Sequence, residues 1–131
     1  MTRYFFILLV LFSSCFWTDE EEDCEFVSCG NGPFYGTLYI NVTINQENPE
    51  VFFEIFEGRI EEEILIDSIF TSKEFLCFEL ESGSYYSAKA YYVQGEKQIV
   101  AINGLTLKDA TGECDCPEDG GSSTMDLELI H

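Results

Sequence analysis

Basic side chains are scarce in this chain: six Lys and Arg stand against 25 Asp and Glu in 131 residues, a formal net charge of −19. Neutralising a phosphate backbone takes clustered Lys and Arg, and the few here are scattered, so nucleic acid is excluded as a partner. The same imbalance removes any electrostatic grip on anionic lipid. Histidine is rarer still, its one occurrence being His131. Ser–His and Cys–His nucleophile activation therefore lack a base, and most imidazole-ligated metal sites lack a ligand. No long stretch carries a helical period of apolar residues. The longest N-terminal apolar run, Tyr4 to Phe12, is less than half of the roughly twenty residues that a membrane-spanning helix requires.

What that run does fit is a secretory signal. Arg3, the apolar stretch and then Ser13-Ser14-Cys15 give a basic start, a short greasy core and small residues before a cysteine. The tetrad Phe12-Ser13-Ser14-Cys15 resembles the lipobox of bacterial lipoproteins, with Phe12 where Leu is usual. The resemblance implies a signal peptide over residues 1–14 and acyl chains on Cys15. Several chains on one residue anchor stably where one alone binds marginally. Five consecutive acids follow, Asp19, Glu20, Glu21, Glu22 and Asp23. Such a block repels itself and stays extended, which suits a solvated tether. It also resembles the acidic export signals of Bacteroidetes surface lipoproteins, which implies an outer-membrane, cell-surface address. The expected organisation is a signal over 1–14, a lipidated, cysteine-containing tether over 15–33 and a folded domain over 34–131.

Beyond Cys29 the composition turns to short apolar and aromatic runs divided by Gly, Asn, Ser and acidic residues. Thr37 to Asn45 alternates, with Leu38, Ile40, Val42 and Ile44 on one face, the pattern of a half-buried strand. Val51 to Glu57, Ile64 to Phe70 and Glu74 to Glu81 supply three more. In the last of these Leu76, Phe78 and Leu80 share the core face while Phe75, Cys77 and Glu79 point outward. Tyr85 to Val93 alternates Ala88, Ala90 and Tyr92 with Ser87, Lys89 and Tyr91. Gln94-Gly95-Glu96-Lys97 closes a hairpin onto Gln98 to Ile102, because glycine supplies the positive φ a tight turn needs. Asn103-Gly104 is expected to kink or turn the chain before Leu105 to Leu107. A loop then runs from Asp109 to Ser123, and Met125 to Ile130 forms the last strand. About seven short strands at this spacing predict an all-β chain, an antiparallel β-sandwich of transthyretin-like or immunoglobulin-like form.

One corner carries a family resemblance. Leu80, the turn Glu81-Ser82-Gly83-Ser84 and Tyr85 resemble the L-x-x-G-x-Y corner of transthyretin-like and carboxypeptidase-regulatory-like sandwich domains. Those families usually place proline in the turn, where this chain has Ser82. The resemblance implies an architecture and transfers no active residue. In layout the chain is similar to small lipoproteins of Bacteroidetes in which a sandwich follows a short cysteine-containing tether.

Six cysteines are present. With Cys15 assigned to lipid, five remain for an export compartment that favours disulfides, and five cannot all pair within one chain. Cys24 and Cys29 are expected to pair with each other or with Cys114 and Cys116. Bridging the tether to the late loop closes roughly ninety residues and contributes about 4 kcal/mol in the chain-entropy model. Cys77, in mid-strand, is left as the unpaired thiol. A zinc reading of Cys24, Cys29, Cys114 and Cys116 is disfavoured, because one residue between Cys114 and Cys116 is tighter than the usual two to four. Asp115, Glu118, Asp119 and Gly120 lack the spacing of an EF-hand calcium loop. No metal and no cofactor is expected.

Glu54, Glu57, Glu61, Glu62, Glu63 and Asp67 lie close in sequence, but a glycosidase must set two carboxylates across a sugar-sized cleft. A solvated acidic turn around Gly58-Arg59 accounts for them better, and no catalytic residue is expected. Asp67-Ser68-Ile69 resembles the short O-glycosylation site of exported Bacteroidetes proteins, which makes Ser68 a candidate for glycan. Aromatic side chains reach 15% of the chain. Tyr85, Tyr86, Tyr91 and Tyr92 crowd one strand, and Phe52, Phe53 and Phe56 another. Rings on both faces of a strand exceed what one core needs and suggest a contact surface for another outer-membrane protein or an extracellular glycan. The expected function is a lipid-anchored, non-catalytic binding or accessory module at the cell surface. The competing expectation is a structural or periplasm-facing envelope lipoprotein with no ligand of its own.

Overall fold

The computed structural model describes residues 28–130. Cys15, the acidic tract Asp19 to Asp23, and Cys24 lie outside the described residues. Among those described, seven strands of six or more residues form two sheets. They are β1 (Tyr35–Asn41), β2 (Val51–Glu57), β3 (Ile64–Thr71), β4 (Phe75–Glu81), β5 (Tyr85–Gln94), β6 (Lys97–Thr106) and β9 (Gly121–Asp126). Two short strands, β7 (Ala110–Thr111) and β8 (Pro117–Glu118), make a small ribbon in the connection between β6 and β9. One sheet has the order β4-β1-β9 and the other β3-β2-β5-β6. The chain is all-β, as its short alternating runs predict.

The inward side chains of both sheets meet in one core. Leu38, Ile40 and Met125 come from the three-stranded sheet, and Val51, Phe53, Ile55, Ala88, Ala90 and Tyr92 from the four-stranded one. Phe53 stacks on Phe78 of the facing sheet, with ring centroids 5.8 Å apart. Alanine at two successive inward positions of β5 leaves room for the larger side chains opposite. Leu76, Phe78 and Leu80 pack against this core half-buried, and Cys77 and Glu79 are exposed, following the expected alternation of β4.

Tyr92 joins the two layers. Its side chain is wholly buried, and its hydroxyl donates to Leu127 O (2.7 Å) while accepting the Thr43 N–H (2.9 Å). Burial pushes the phenol above its ordinary value, so the group stays protonated and able to donate. Close by, Asn48 is buried and binds the end of β5 twice, Nδ2 donating to Val93 O and Oδ1 accepting the Val93 N–H.

The corner between β4 and β5 differs from expectation by one residue. Tyr86, not Tyr85, turns inward, and its hydroxyl donates to Glu81 O (2.6 Å), the backward bond of a tyrosine corner. Tyr85 stays exposed. The serine in the turn also has a reason: the Ser82 N–H donates to Phe34 O (2.8 Å), a bond proline has no hydrogen to make. The Ser82 hydroxyl reaches the Asp109 carboxylate.

Three further expectations are corrected. Asn103-Gly104 does not turn the chain, since β6 runs through it in register with Ala88 and Ser87. The Asn103 side chain accepts the Gly104 N–H and donates to Asp126 O, and Tyr85 lies over the space a Gly104 side chain would fill. The last strand begins at Gly121 rather than Met125; Gly121, Ser122 and Ser123 are too small to register as a hydrophobic alternation. Leu127 and Leu129 remain inward past its end, their amides bound by Asn41 O and Thr43 Oγ1.

The third correction is to strand direction. Five ladders are antiparallel, but β1 and β9 pair in parallel from Gly36↔Gly121 to Asn41↔Asp126. The cause lies just ahead of β9. Asp119 Oδ1 accepts the Tyr35 N–H (2.7 Å), the Gly120 N–H donates to Tyr35 O (2.9 Å), and Cys29 is disulfide-bonded to Cys116. With its preceding loop held at the start of β1, β9 can only enter alongside it. Gly36 allows the close approach, since a Cβ there would collide with the Gly121 carbonyl, and Gly121 in turn lies against the Lys108 carbonyl.

The Cys29–Cys116 bridge spans 87 positions and contributes about 4–5 kcal/mol in the chain-entropy model. Cys114 is also disulfide-bonded, and Cys77 is an exposed free thiol. Non-reducing peptide mapping should recover Cys29 linked to Cys116 and Cys77 open to alkylation without reductant; the opposite pattern would refute the assignment. Tyr92→Phe leaves Leu127 O and the Thr43 N–H without their buried partner. It should destabilise the protein by about 1–3 kcal/mol in urea unfolding, and an unchanged midpoint would show that the hydroxyl does not join the layers.

Candidate contact face

The outward side of the four-stranded sheet is where side chains exceed the needs of the core. Antiparallel registry aligns residues of adjacent strands into rows across the sheet. One such row is Phe70–Phe52–Tyr91–Val100, running over β3, β2, β5 and β6. The Phe52 ring lies 4.9 Å from Phe70 and 5.4 Å from Tyr91, centroid to centroid, in tilted packing. Phe70 and Val100 at the two ends are exposed, and Phe52 and Tyr91 between them are half-buried.

The next row reads Ser68–Glu54–Lys89–Ile102. Here the charges serve the rings beside them. The Tyr91 hydroxyl donates to Glu54 Oε1 (2.5 Å), and Lys89 Nζ sits 5.7 Å from the centre of the Phe56 ring. The carboxylate holding its proton, aided by partial burial, pushes the Tyr91 phenol up to about 12. Tyr91 is therefore neutral and oriented at any physiological pH. Beyond this row the face ends in a shallow depression of about 350 Å³ lined by Arg59, Ile60, Tyr85, Ser87, Ile102 and Asn103, among others.

The four tyrosines singled out from the sequence separate into two pairs. Tyr91 and Tyr85 look outward, Tyr91 within the aromatic row and Tyr85 against Gly104. Tyr86 and Tyr92 are core residues, 3% and 0% exposed, and are not part of any contact face. The reason is strand alternation: consecutive residues in β5 cannot share a side. Phe70, Val100 and Ile102 were not singled out as contact residues, because only the pairing of β3 and β6 with their neighbours brings them beside Phe52 and Tyr91. Ser68 is exposed on the same face, opposite Glu54.

Three of the acidic residues near Gly58 are engaged locally, two by backbone amides and one by a tyrosine hydroxyl. Glu62 Oε2 accepts the Arg59 N–H (3.3 Å) in a 3₁₀ turn over Ile60–Glu62, Asp67 Oδ1 accepts the Ser68 N–H (2.8 Å), and Glu54 holds Tyr91. In the late loop, Asp119 is committed to the Tyr35 amide. Disulfide bonding takes three of the four sulfurs that a zinc site would need, those of Cys29, Cys114 and Cys116.

Because folding raises the phenol of Tyr91 above its unfolded value of 10.0, its contribution to stability is complete below that pH and is lost as pH rises toward about 12. Tyr86 and Tyr92 are raised as well, mainly by burial, and act in the same direction. Alkaline titration of tyrosinate absorbance should show a late-ionising tyrosine that moves to lower pH in Glu54→Gln. A titration curve identical in the two proteins would remove the Glu54–Tyr91 bond as the cause.

No protein-family model, curated protein or solved structure matches this chain.

Proposed function

We propose that this chain is a lipid-anchored lipoprotein of the outer membrane, displayed at the cell surface and acting as a non-catalytic binding or accessory module. The observation that carries the binding role is the cross-strand row Phe70–Phe52–Tyr91–Val100 on the side of the sheet away from the core. A sheet needs one apolar face to fold, and a second, aromatic one is unexplained by folding. Rings and a tyrosine hydroxyl together suit a protein surface or the faces of sugar rings in an extracellular glycan. The anchor and the address rest on the N-terminal sequence: Cys15 after an apolar run, then Asp19 to Asp23. The non-catalytic reading rests on the scarcity of histidine and on carboxylates already engaged by backbone amides. The two-sheet layout supports a transthyretin-like or carboxypeptidase-regulatory-like affiliation, although the corner tyrosine stands one residue later than in that family's motif.

Protease shaving of intact native cells, with mass analysis of the Cys15 peptide, tests the address. Digestion of the folded domain together with an acylated Cys15 is the expected result. Protection until the cells are lysed would move the protein to the periplasmic side and favour the structural alternative. The contact face is tested by Phe52→Ser with Tyr91→Ser, which should abolish retention of the protein on native envelope fractions; unaltered retention would discard the face.

A further inference from the structure

The two sheets have four edge strands: β4, β9, β3 and β6. β6 and β9 converge, Asn103 Nδ2 donating to Asp126 O (2.9 Å), and Ser123 of β9 accepts the Lys108 N–H (3.2 Å). β4 displays Glu79 and Glu81, both exposed, and charges on an edge repel an incoming strand. β3 is the least guarded. Its exposed side chains include Ile64 (50%), Leu65 (49%), Ile66 (40%) and Phe70 (69%), and it contains neither Pro nor Lys.

We propose that the free edge of β3 accepts an extended polypeptide segment as a fifth strand of the four-stranded sheet, the segment carrying apolar side chains and a Lys or Arg at the position beside Asp67. The proposal rests on the reading of that sheet's outward face as the contact surface and extends its aromatic row past Phe70. Backbone pairing supplies the affinity in strand addition, and side chains at alternate positions supply the selectivity.

Asp67 determines the partner. It is the one charged residue within β3, in register with buried Ile55, and its Oδ1 accepts the N–H of Ser68. That amide is bound by the neighbouring side chain and faces the free side of the strand, so in the unbound protein the carboxylate covers a donor an added strand would use. A cation arriving beside Asp67 draws the carboxylate away and releases the Ser68 N–H for pairing. Glu61, Glu62 and Glu63, all exposed, immediately precede the strand and deepen the negative field there. A second copy is the wrong occupant: antiparallel pairing of two β3 edges brings two Asp67 carboxylates together between chains of net charge −19. The segment taken is apolar and basic.

The probes are two blocked eight-residue peptides of alternating Val and Thr, one with a central Lys and one with Glu in its place, titrated against the full-length protein. Hydrogen exchange reads the amides of β3. The Lys peptide should bind saturably, at least roughly tenfold more tightly than the Glu peptide, and should slow exchange at Ser68 and Phe70. Asp67→Lys should reverse the preference, and Asp67→Asn, which keeps size and shape, should reduce it should the charge reversal compromise folding. Equal binding of the two peptides, no binding, binding without protection of β3, or a dimer that closes this edge would each overturn the proposal. Should the peptides fail while Phe52→Ser with Tyr91→Ser still abolishes envelope retention, strand addition is wrong and the contact face stands. Failure of both removes both.

Discussion

The architecture depends on holding two sheets face to face, and the most deeply buried polar link between them is made by a core tyrosine. Tyr92 spans the gap from β5, and its hydroxyl satisfies one carbonyl and one amide that lie beyond the ends of β9 and β1. Without it those backbone groups lose their partner, at a cost of about 1–3 kcal/mol. The same hydroxyl sets where the chain after β9 must lie, because Leu127 O has to meet it. Sheet spacing, the end of the parallel ladder and the inward placement of Leu127 and Leu129 are thus coupled through one side chain.

At the opposite end of the sandwich the constraint is covalent. The disulfide from Cys29 to Cys116, with the Asp119 and Gly120 bonds to Tyr35, fixes the late loop to the start of β1. This explains a parallel pair in a fold whose other ladders are antiparallel. Neighbouring strands pair in parallel when a long connection returns the chain to the same end. Here the return runs through β7, β8 and the bridge, and Gly36 lets β1 approach β9 at the point of closure.

The outward aromatic row and the β3 edge arise from the same arrangement. Because β3 ends the four-stranded sheet, Phe70 has a neighbour on one flank only, and its exposure exceeds that of Phe52 beside it. The single charge on that strand is bound to the adjacent amide, which protects the edge from indiscriminate pairing while leaving it open to a strand of the right charge. The outward aromatic face and the edge then form one continuous surface, with the Glu54–Tyr91 bond fixing the Tyr91 ring.

The sequence by itself determined the class of fold and the sides of most strands. Alternation placed Leu38 and Ile40, Phe53 and Ile55, and Ala88, Ala90 and Tyr92 inward, because a strand facing one core must repeat every two residues. It located the Gly95 turn, where φ is +63°, and left Cys77 unpaired by arithmetic and position. What it did not carry is everything that depends on which strand lies beside which. The choice of Tyr86 over Tyr85 at the corner turns on a bond to Glu81 O, and the straight course through Asn103-Gly104 on a cross-strand aromatic. The start of β9 at three small residues, its parallel direction and the row joining Phe70 to Val100 were likewise decided only by tertiary pairing. Periodicity is a property of one segment and survives in the sequence; registry, direction and edge exposure belong to pairs of segments far apart in the chain, and only folding brings those together.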